Sequence, residues 1–317
     1  MTRRPEFAGL PRRGQFRVVF HPLAVFGLLL WFAAAGAGEC GSRSQAQTIP
    51  QAARYTDSLL WRVTSPHGAT SHLFGTIHLP AHEVGQPTPR LQRLVAESRL
   101  LLLEARLDAA ALAEISTLMF LPAGQRLSSL IAADDFRRAQ TLFRPYGIDP
   151  ATLERLKVWA AYTSLSLPPT AVGTPLDMAL QARAENAGVE VRGLENLREQ
   201  MAVFDAISLA DQRSLLHETV CHHADNQALM QRIVKAYRVG DLARVEALSS
   251  PVQTPAEARL HERLVRGRNR LLAARMQTAL ETGGVLVAIG ALHLPGDDGV
   301  LALLEARGFK VTPLPVR

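Results

Sequence analysis

Apolar positions along the chain follow two periods. Leu59–Val63 and Ser71–Phe74 are short strand-like runs on either side of Ser65-Pro66-His67-Gly68, a turn sequence, and together predict a β-hairpin. Residues 88–98 place Leu91, Leu94 and Val95 on one helical face. Leu100–Leu103 is a continuous apolar run that predicts a buried strand stopping at Glu104. Residues 109–170 and 199–250 read as mostly helical. Between them, Thr174 as cap, Pro175 in the first turn and Asp177 as an acidic capping residue predict a helix start, and Gly188 its end. Val189–Gly193 predicts a strand leading to Leu194-Glu195. One long helix is expected over 256–281, stopped by Gly283-Gly284. Val285–Ile289 is the strongest buried-strand signal, followed by a helix over 299–307 and a strand at 309–311. Strands alternating with helices at both ends, around a helical middle insertion, predict an α/β fold: a central mixed sheet flanked by helices.

The first 37 residues change the picture. Five arginines and one acid lead into an uncharged apolar run, Val18–Ala37, that ends in Ala35-Gly36-Ala37. This is the pattern of an export signal with a small-residue cleavage site. About 20 apolar residues also suffice for an uncleaved membrane anchor. The expected organisation is a signal peptide or anchor over 1–37, a small, polar linker over 38–56 and one domain over 57–317. The expected location is periplasmic or secreted, or else membrane-anchored with the domain outside the cytoplasm. A lipoprotein reading of Cys40 fits poorly, since Glu39 stands where a small residue is wanted and Ala37 where leucine is usual. Beyond residue 37 the formal charge of +6 falls to +2, which gives no electrostatic case for nucleic acid. Cys40 and Cys221 are the only cysteines; Cys40 lies in the expected linker, which argues against a disulfide into the folded core.

Two segments echo each other: Gly75-Thr76-Ile77-His78-Leu79-Pro80 and Gly290-Ala291-Leu292-His293-Leu294-Pro295. Each follows an apolar strand and puts Gly three residues before His. Open α/β sheets bind ligands beyond the carboxyl ends of their strands. Glu104 stands at a third strand end, where a buried carboxylate needs a partner, a proton or a metal. Two imidazoles and a carboxylate suit a divalent ion. Taken singly, His78 reads as a hydrogen-bonded loop histidine, Glu104 as a capping or arginine-pairing carboxylate, and Gly75 and Gly290 as turn glycines; the matched placement favours a site. His217-Glu218-Thr219-Val220-Cys221-His222 imitates a zincin helix, but Cys221 stands where the second histidine is required, so it is set aside as a metal site. Nucleophile-elbow, phosphate-loop and dinucleotide signatures are absent.

The hairpin into Gly75-Thr76-Ile77-His78, LLLEA (101–105), TPLDMAL (174–180), VRGLENLREQ (191–200), RGRNRLLAARM (266–276) and VLVAIGALHLPGDDGV (285–300) resemble, in that order, the TraB/GumN family with its GumN-like, TraB/PrgY and Tiki branches. The likeness runs over roughly residues 57–316 and is weakest in the helical middle. It implies a fold similar to the erythromycin-esterase/ChaN group and a metalloprotease-like site. The matching metal positions are His78, Glu104 and His293, with manganese or cobalt suggested by the Tiki branch. Glu104 is ligand or general base on this reading. Glu195, Arg268 and Asn269 are further candidates, Arg268 as a carboxylate clamp or oxyanion partner. Asp177 is assigned to helix capping. The expected function is an exported metal-dependent hydrolase, foremost a peptidase, with a peptide or small molecule as substrate. The alternative is a non-catalytic protein that binds haem, a peptide or a small signal molecule in the same cleft. Either way, His78 and His293 are expected on neighbouring strand ends with Glu104 in the same pocket, their ligand atoms roughly 3–6 Å apart.

Overall fold

The computed structural model describes Cys40, residues 53–249 and residues 254–316. Six strands form one mixed sheet: β1 (Leu60–Thr64), β2 (Thr70–Thr76), β3 (Leu100–Ala105), β4 (Glu190–Glu195), β5 (Val285–Gly290) and β6 (Lys310–Leu314). Their order is β4-β3-β5-β2-β1-β6. The expected hairpin is β1–β2, in antiparallel register from Leu60 opposite Phe74 to Thr64 opposite Thr70. β2, β5, β3 and β4 run parallel to one another, while β1 is antiparallel to both β2 and β6. The runs Leu100–Leu103 and Val285–Ile289 lie in the middle of the sheet and are buried at every residue, as strands covered on both faces must be. β3 does not stop before Glu104. It continues to Ala105, which pairs with Glu195, so Glu104 is a strand residue.

Helices fill the chain between the strands, and they build two apolar cores. One surrounds the sheet, and the other joins Phe143, Trp159, Leu165, Leu216 and Leu260 within the helical middle. Three expectations need correction. The helix expected over 256–281 is broken: Pro255–His261, a π-helical turn at Glu262–Arg266, then Gly267–Thr282. The helix after Thr174 starts later, at Leu176, with Pro175 at its cap and no side-chain cap bond, because Asp177 is drawn elsewhere. Cys40 does bond to Cys221: residue 40 returns to the end of the helix Leu209–Cys221, a docking that local composition does not encode. The signal or anchor reading of 1–37 lies outside the described residues, as does most of the 38–56 linker. No helix among the described residues is long and apolar enough to cross a membrane.

Candidate metal site

Four parallel strands deliver their carboxyl ends to one edge. Across the sheet these ends carry Glu195 on β4, Glu104 on β3, Gly290 on β5 and Thr76 on β2, with His78 two residues beyond. Thr76 pairs with Gly290 and Ala105 with Glu195, so the ends are level. His293 follows Gly290 on a single 3₁₀ turn, Ala291–His293.

Glu104 is the hub, only 5% exposed. Its Oε1 accepts the Gly290 N–H at 2.6 Å and lies 3.7 Å from both His78 Nε2 and His293 Nε2. The two imidazoles thus flank one carboxylate oxygen, well inside the roughly 10 Å beyond which they could not share an ion. Oε2 turns the other way. It accepts from Arg268 Nη2 at 2.5 Å and from Gln200 Nε2 at 3.2 Å. Arg268 also donates to Glu195, at 2.6 Å from Nη2 and 3.0 Å from Nε, and its Nη1 is 3.4 Å from His293 Nε2. The structure therefore brings His78, Glu104, His293, Glu195 and Arg268 together.

Each imidazole is held through its other nitrogen. His78 Nδ1 is 2.7 Å from Asp177 Oδ2, and Thr76 Oγ1 donates to Asp177 Oδ1 at 2.6 Å. A bridge between Pro80 and Pro175, with Leu176 N–H donating to Leu79 O, brings Asp177 to His78. Asp177 is thus an orienting residue, not the helix cap expected. His293 Nδ1 is 2.6 Å from Asn269 Oδ1. Asn269 Nδ2 donates to Asp298 O, which fixes the amide oxygen toward the ring and assigns the proton to Nδ1. Both tethers direct Nε2 toward Glu104, the second-sphere arrangement usual for metal-bound histidine. They also set different basicities. Burial pulls the His78 pKa down, but the Asp177 charge and hydrogen bond, with Glu104, outweigh it and push it up to about 10. Burial, opposed by Glu104 and reinforced by Arg268, lowers His293 to about 3. Burial raises the Glu104 pKa, yet Arg268 and the two histidines hold it well below the usual carboxylate range.

The two glycines do different work. A Cβ on Gly75 would meet Leu294 Cδ1 at 2.9 Å and Ala291 Cα at 3.0 Å, so its absence lets the two Gly-x-x-His segments pack on each other. A Cβ on Gly290 would lie 3.0 Å from Glu104 Oε1, 3.5 Å from His293 Cδ2 and 3.8 Å from His78 Nε2. That atom would fill the space between the three side chains. Beside them is a cavity of about 20 Å³ lined by His78, Glu104, Pro175, Asp177 and Met178, room for one water-sized particle. Formal charges point the same way: with both imidazoles neutral, as ligands are, the carboxylates of Glu104, Glu195 and Asp177 against the guanidinium of Arg268 leave an excess of two negative charges. The donors, the space and the charge all fit a divalent ion. Asp177 and Gln200 were missed as site residues. The Asp177 signal was present but fitted a cap equally well, and nothing local marks Gln200.

Asp135, His217 and Cys221 also lie with ligand-type atoms within 4.8 Å of one another. Cys221 is disulfide-bonded there, so its sulfur is not a thiolate and the trio is a poor metal site in this state.

The profile of the TraB/PrgY/gumN family matches residues 59–313. The chain is 24% identical over 324 residues to "Metalloprotease TIKI2" of Danio rerio, covering 84% of this chain and 62% of that protein. It is 24% identical over 254 residues to "Uncharacterized protein YbaP" of Escherichia coli (strain K12), covering 77% of this chain and 90% of that protein. "Metalloprotease TIKI1" of Homo sapiens is 23% identical over 316 residues, again with 62% of the relative covered. The chain therefore spans less than two thirds of the TIKI proteins it matches. No solved structure matches it. With both Gly-x-x-His segments and Glu104 inside the matched span, the chain belongs to the TraB/PrgY/gumN family.

Proposed function

We propose that the protein is a metal-dependent hydrolase acting on peptides, with His78, Glu104 and His293 holding the ion and manganese or cobalt as its identity. The observation that carries this reading is the paired tether: two imidazoles, fixed through Nδ1 by Asp177 and Asn269, aim Nε2 at one oxygen of Glu104 beside Gly290. The TIKI relatives, named metalloproteases, support it. A bound divalent ion supplies Lewis acidity and an activated water. The remaining chemistry belongs to the chain. Glu104 is ligand rather than general base: Arg268 and the two histidines hold its pKa well below the usual carboxylate range, which makes it a weak base, while Oε1 accepts the Gly290 N–H and keeps a lone pair on the side of the imidazoles. Arg268, locked by Glu195, keeps a fixed positive charge at the site that stabilises negative charge developing on a substrate oxygen. The cavity beside His78 has no room for a haem ring, which weighs against the haem-binding alternative. On the same proposal, residues 1–37 act as an export signal or anchor and put the activity in the periplasm or outside the cell.

The test is metal content and peptide cleavage of the purified protein against a His78→Ala, His293→Ala double variant. Loss of about one equivalent of metal together with cleavage is expected. Equal metal content and unchanged cleavage in the variant overturn the proposal. Tight peptide binding without product favours a sequestering protein instead.

A further inference from the structure

A second cluster of reactive side chains lies in the helical half. The helix Leu209–Cys221 carries His217 and Cys221 one turn apart on the same face. The first turn of the helix Ala133–Leu142 brings up Asp135. His217 Nδ1 is 2.8 Å from Asp135 Oδ1, and Nε2, on the far side of the ring, is 3.7 Å from Cys221 Sγ. Asp135 and His217 are 6% and 8% exposed, and Cys221 is half-buried and bonded to Cys40. None of the four takes part in the Glu104 site.

The order carboxylate, imidazole, sulfur is that of an activated thiol. Asp135 holds the Nδ1 proton and turns Nε2 to the sulfur. A disulfide sulfur has no proton to give and is a weak acceptor, so the contact gains little while the bond is closed. A Cys221 thiolate beside a protonated His217 gains a charge-assisted hydrogen bond, with the imidazolium balanced by Asp135. Cys221 is the last residue of its helix, where the macrodipole opposes a thiolate, so the stabilising charge has to come from His217 and Asp135. The elements packed around this helix add further ionisable groups. Tyr162 comes from the helix Val158–Ser166, His223 and Asp225 from His223–Arg238, and Glu257 and Arg259 from Pro255–His261. Arg259 is engaged with Asp211, and Glu218 on the helix itself lies 3.6 Å from His222. Asp134 on the Asp135 helix is paired with Arg137. Asp135 is the carboxylate in direct contact with the His217 ring.

We infer that Cys40–Cys221 is an exchange-active disulfide whose leaving group is Cys221, with His217 and Asp135 as its charge partners and a dithiol as its substrate class. The attacking thiolate of the dithiol forms a new S–S bond to Cys40 Sγ as the Cys40–Cys221 bond breaks. The electron pair goes to Cys221 Sγ, and the proton lost by the attacking thiol reaches His217 Nε2 through solvent. The second thiol of the reagent then attacks its own mixed-disulfide sulfur and releases Cys40, which takes that thiol's proton. The protein disulfide is reduced to two thiols and the dithiol is oxidised to a disulfide.

The experiment uses the full oxidised chain under native conditions. Dithiothreitol gives the reduction rate, glutathione traps the mixed disulfide for mass spectrometry, and glutathione redox buffers give the equilibrium. Reduction without unfolding is expected, with glutathione found on Cys40. His217→Ala is expected to slow reduction about tenfold and to shift the equilibrium about tenfold toward the disulfide, about 30 mV. Asp135→Asn, which keeps the ring in place, is expected to move both in the same direction by less, and stands as the test should His217→Ala fail to fold. Reduction only in denaturant, glutathione on Cys221, or a potential unchanged in folded Asp135→Asn overturns the inference.

Discussion

Gly290→Ala tests the proposed metal site with a single methyl group. Gly290 has φ −51° and ψ 134°, a conformation any L-residue adopts, so the substitution adds no backbone strain. The new carbon would lie 3.0 Å from Glu104 Oε1, 3.5 Å from His293 Cδ2 and 3.8 Å from His78 Nε2. Glycine replacement stabilises by about 0.4–1 kcal/mol through the unfolded chain, while crowding a packed site costs typically about 1–3 kcal/mol. The net is a loss of roughly 0–2.6 kcal/mol, and the protein is expected to fold. An ion held by His78, Glu104 and His293 would need its ligand atoms about 2.0–2.2 Å away, and this methyl would crowd the space among them. At least about tenfold weaker binding is expected, about 1.4 kcal/mol, with cleavage falling in parallel. Titration calorimetry of chelator-stripped protein with manganese or cobalt measures the affinity, and thermal unfolding checks the fold. Gly75→Ala is the contrast: its methyl strikes Leu294 and Ala291, so stability suffers first. A folded Gly290→Ala protein with wild-type metal affinity would refute the argument.

Asn269→Leu removes the acceptor that fixes His293 Nδ1 and is expected to weaken metal binding about tenfold or more, read by the same calorimetry. Arg268→Met leaves Glu104 and Glu195 buried side by side without their cation; a loss of about 3–5 kcal/mol in urea unfolding is expected, partly recovered by adding metal. Stripped of metal, the protein should be most stable near pH 6–7 in urea midpoints taken from pH 4 to 10. The His78 contribution is complete below its ordinary value near 6.5 and is lost as pH rises through about 10; the His293 contribution is lost as pH falls from near 6.5 toward about 3, because the unfolded chain takes the proton first. Metal binding at pH 8 should release close to one proton, displaced from His78, and calorimetry in buffers of different ionisation enthalpy detects it; Asp177→Asn should reduce the release.

The sheet was legible where burial is complete. Leu100–Leu103 and Val285–Ile289 are apolar at every position because both faces are covered, and such runs can be read without knowing their neighbours. The hairpin was legible from turn chemistry. The order β4-β3-β5-β2 was not, because pairing is a long-range choice; the expectation that both Gly-x-x-His segments end neighbouring strands came from their likeness to each other. Asp177 was misread for a specific reason. A short acid in the first turn of a helix satisfies a cap and a distant histidine equally well, and only the Pro80–Pro175 bridge decides between them. The π turn at Glu262–Arg266 carries no proline or glycine in its interior, so the helical pattern ran through it unbroken. Cys40 could not be placed because a disulfide partner 181 residues away leaves no periodic signal.

On the proposed reading, the site divides one carboxylate between two cations. Arg268 is the permanent one, held on Oε2 of Glu104 and anchored by Glu195 on the outer strand β4. The exchangeable one belongs on the Oε1 side, between β5 and β2, where both imidazoles point. A lysine on the Oε2 side, as a point charge, would hold Glu104 and Glu195 less rigidly than a planar fork. The remaining negative charges then decide what the other side accepts. Without an ion, His78 keeps a proton and offsets part of the excess, which is why its pKa is raised. A dication replaces that proton and balances the site. His293 Nε2 is 3.4 Å from Arg268 Nη1, so His293 would hold an ion only with that contact loosened, while the Glu195 bonds would keep the guanidinium at hand. The space on the Oε1 side is open because β5 ends there in Gly290, a residue without a side chain.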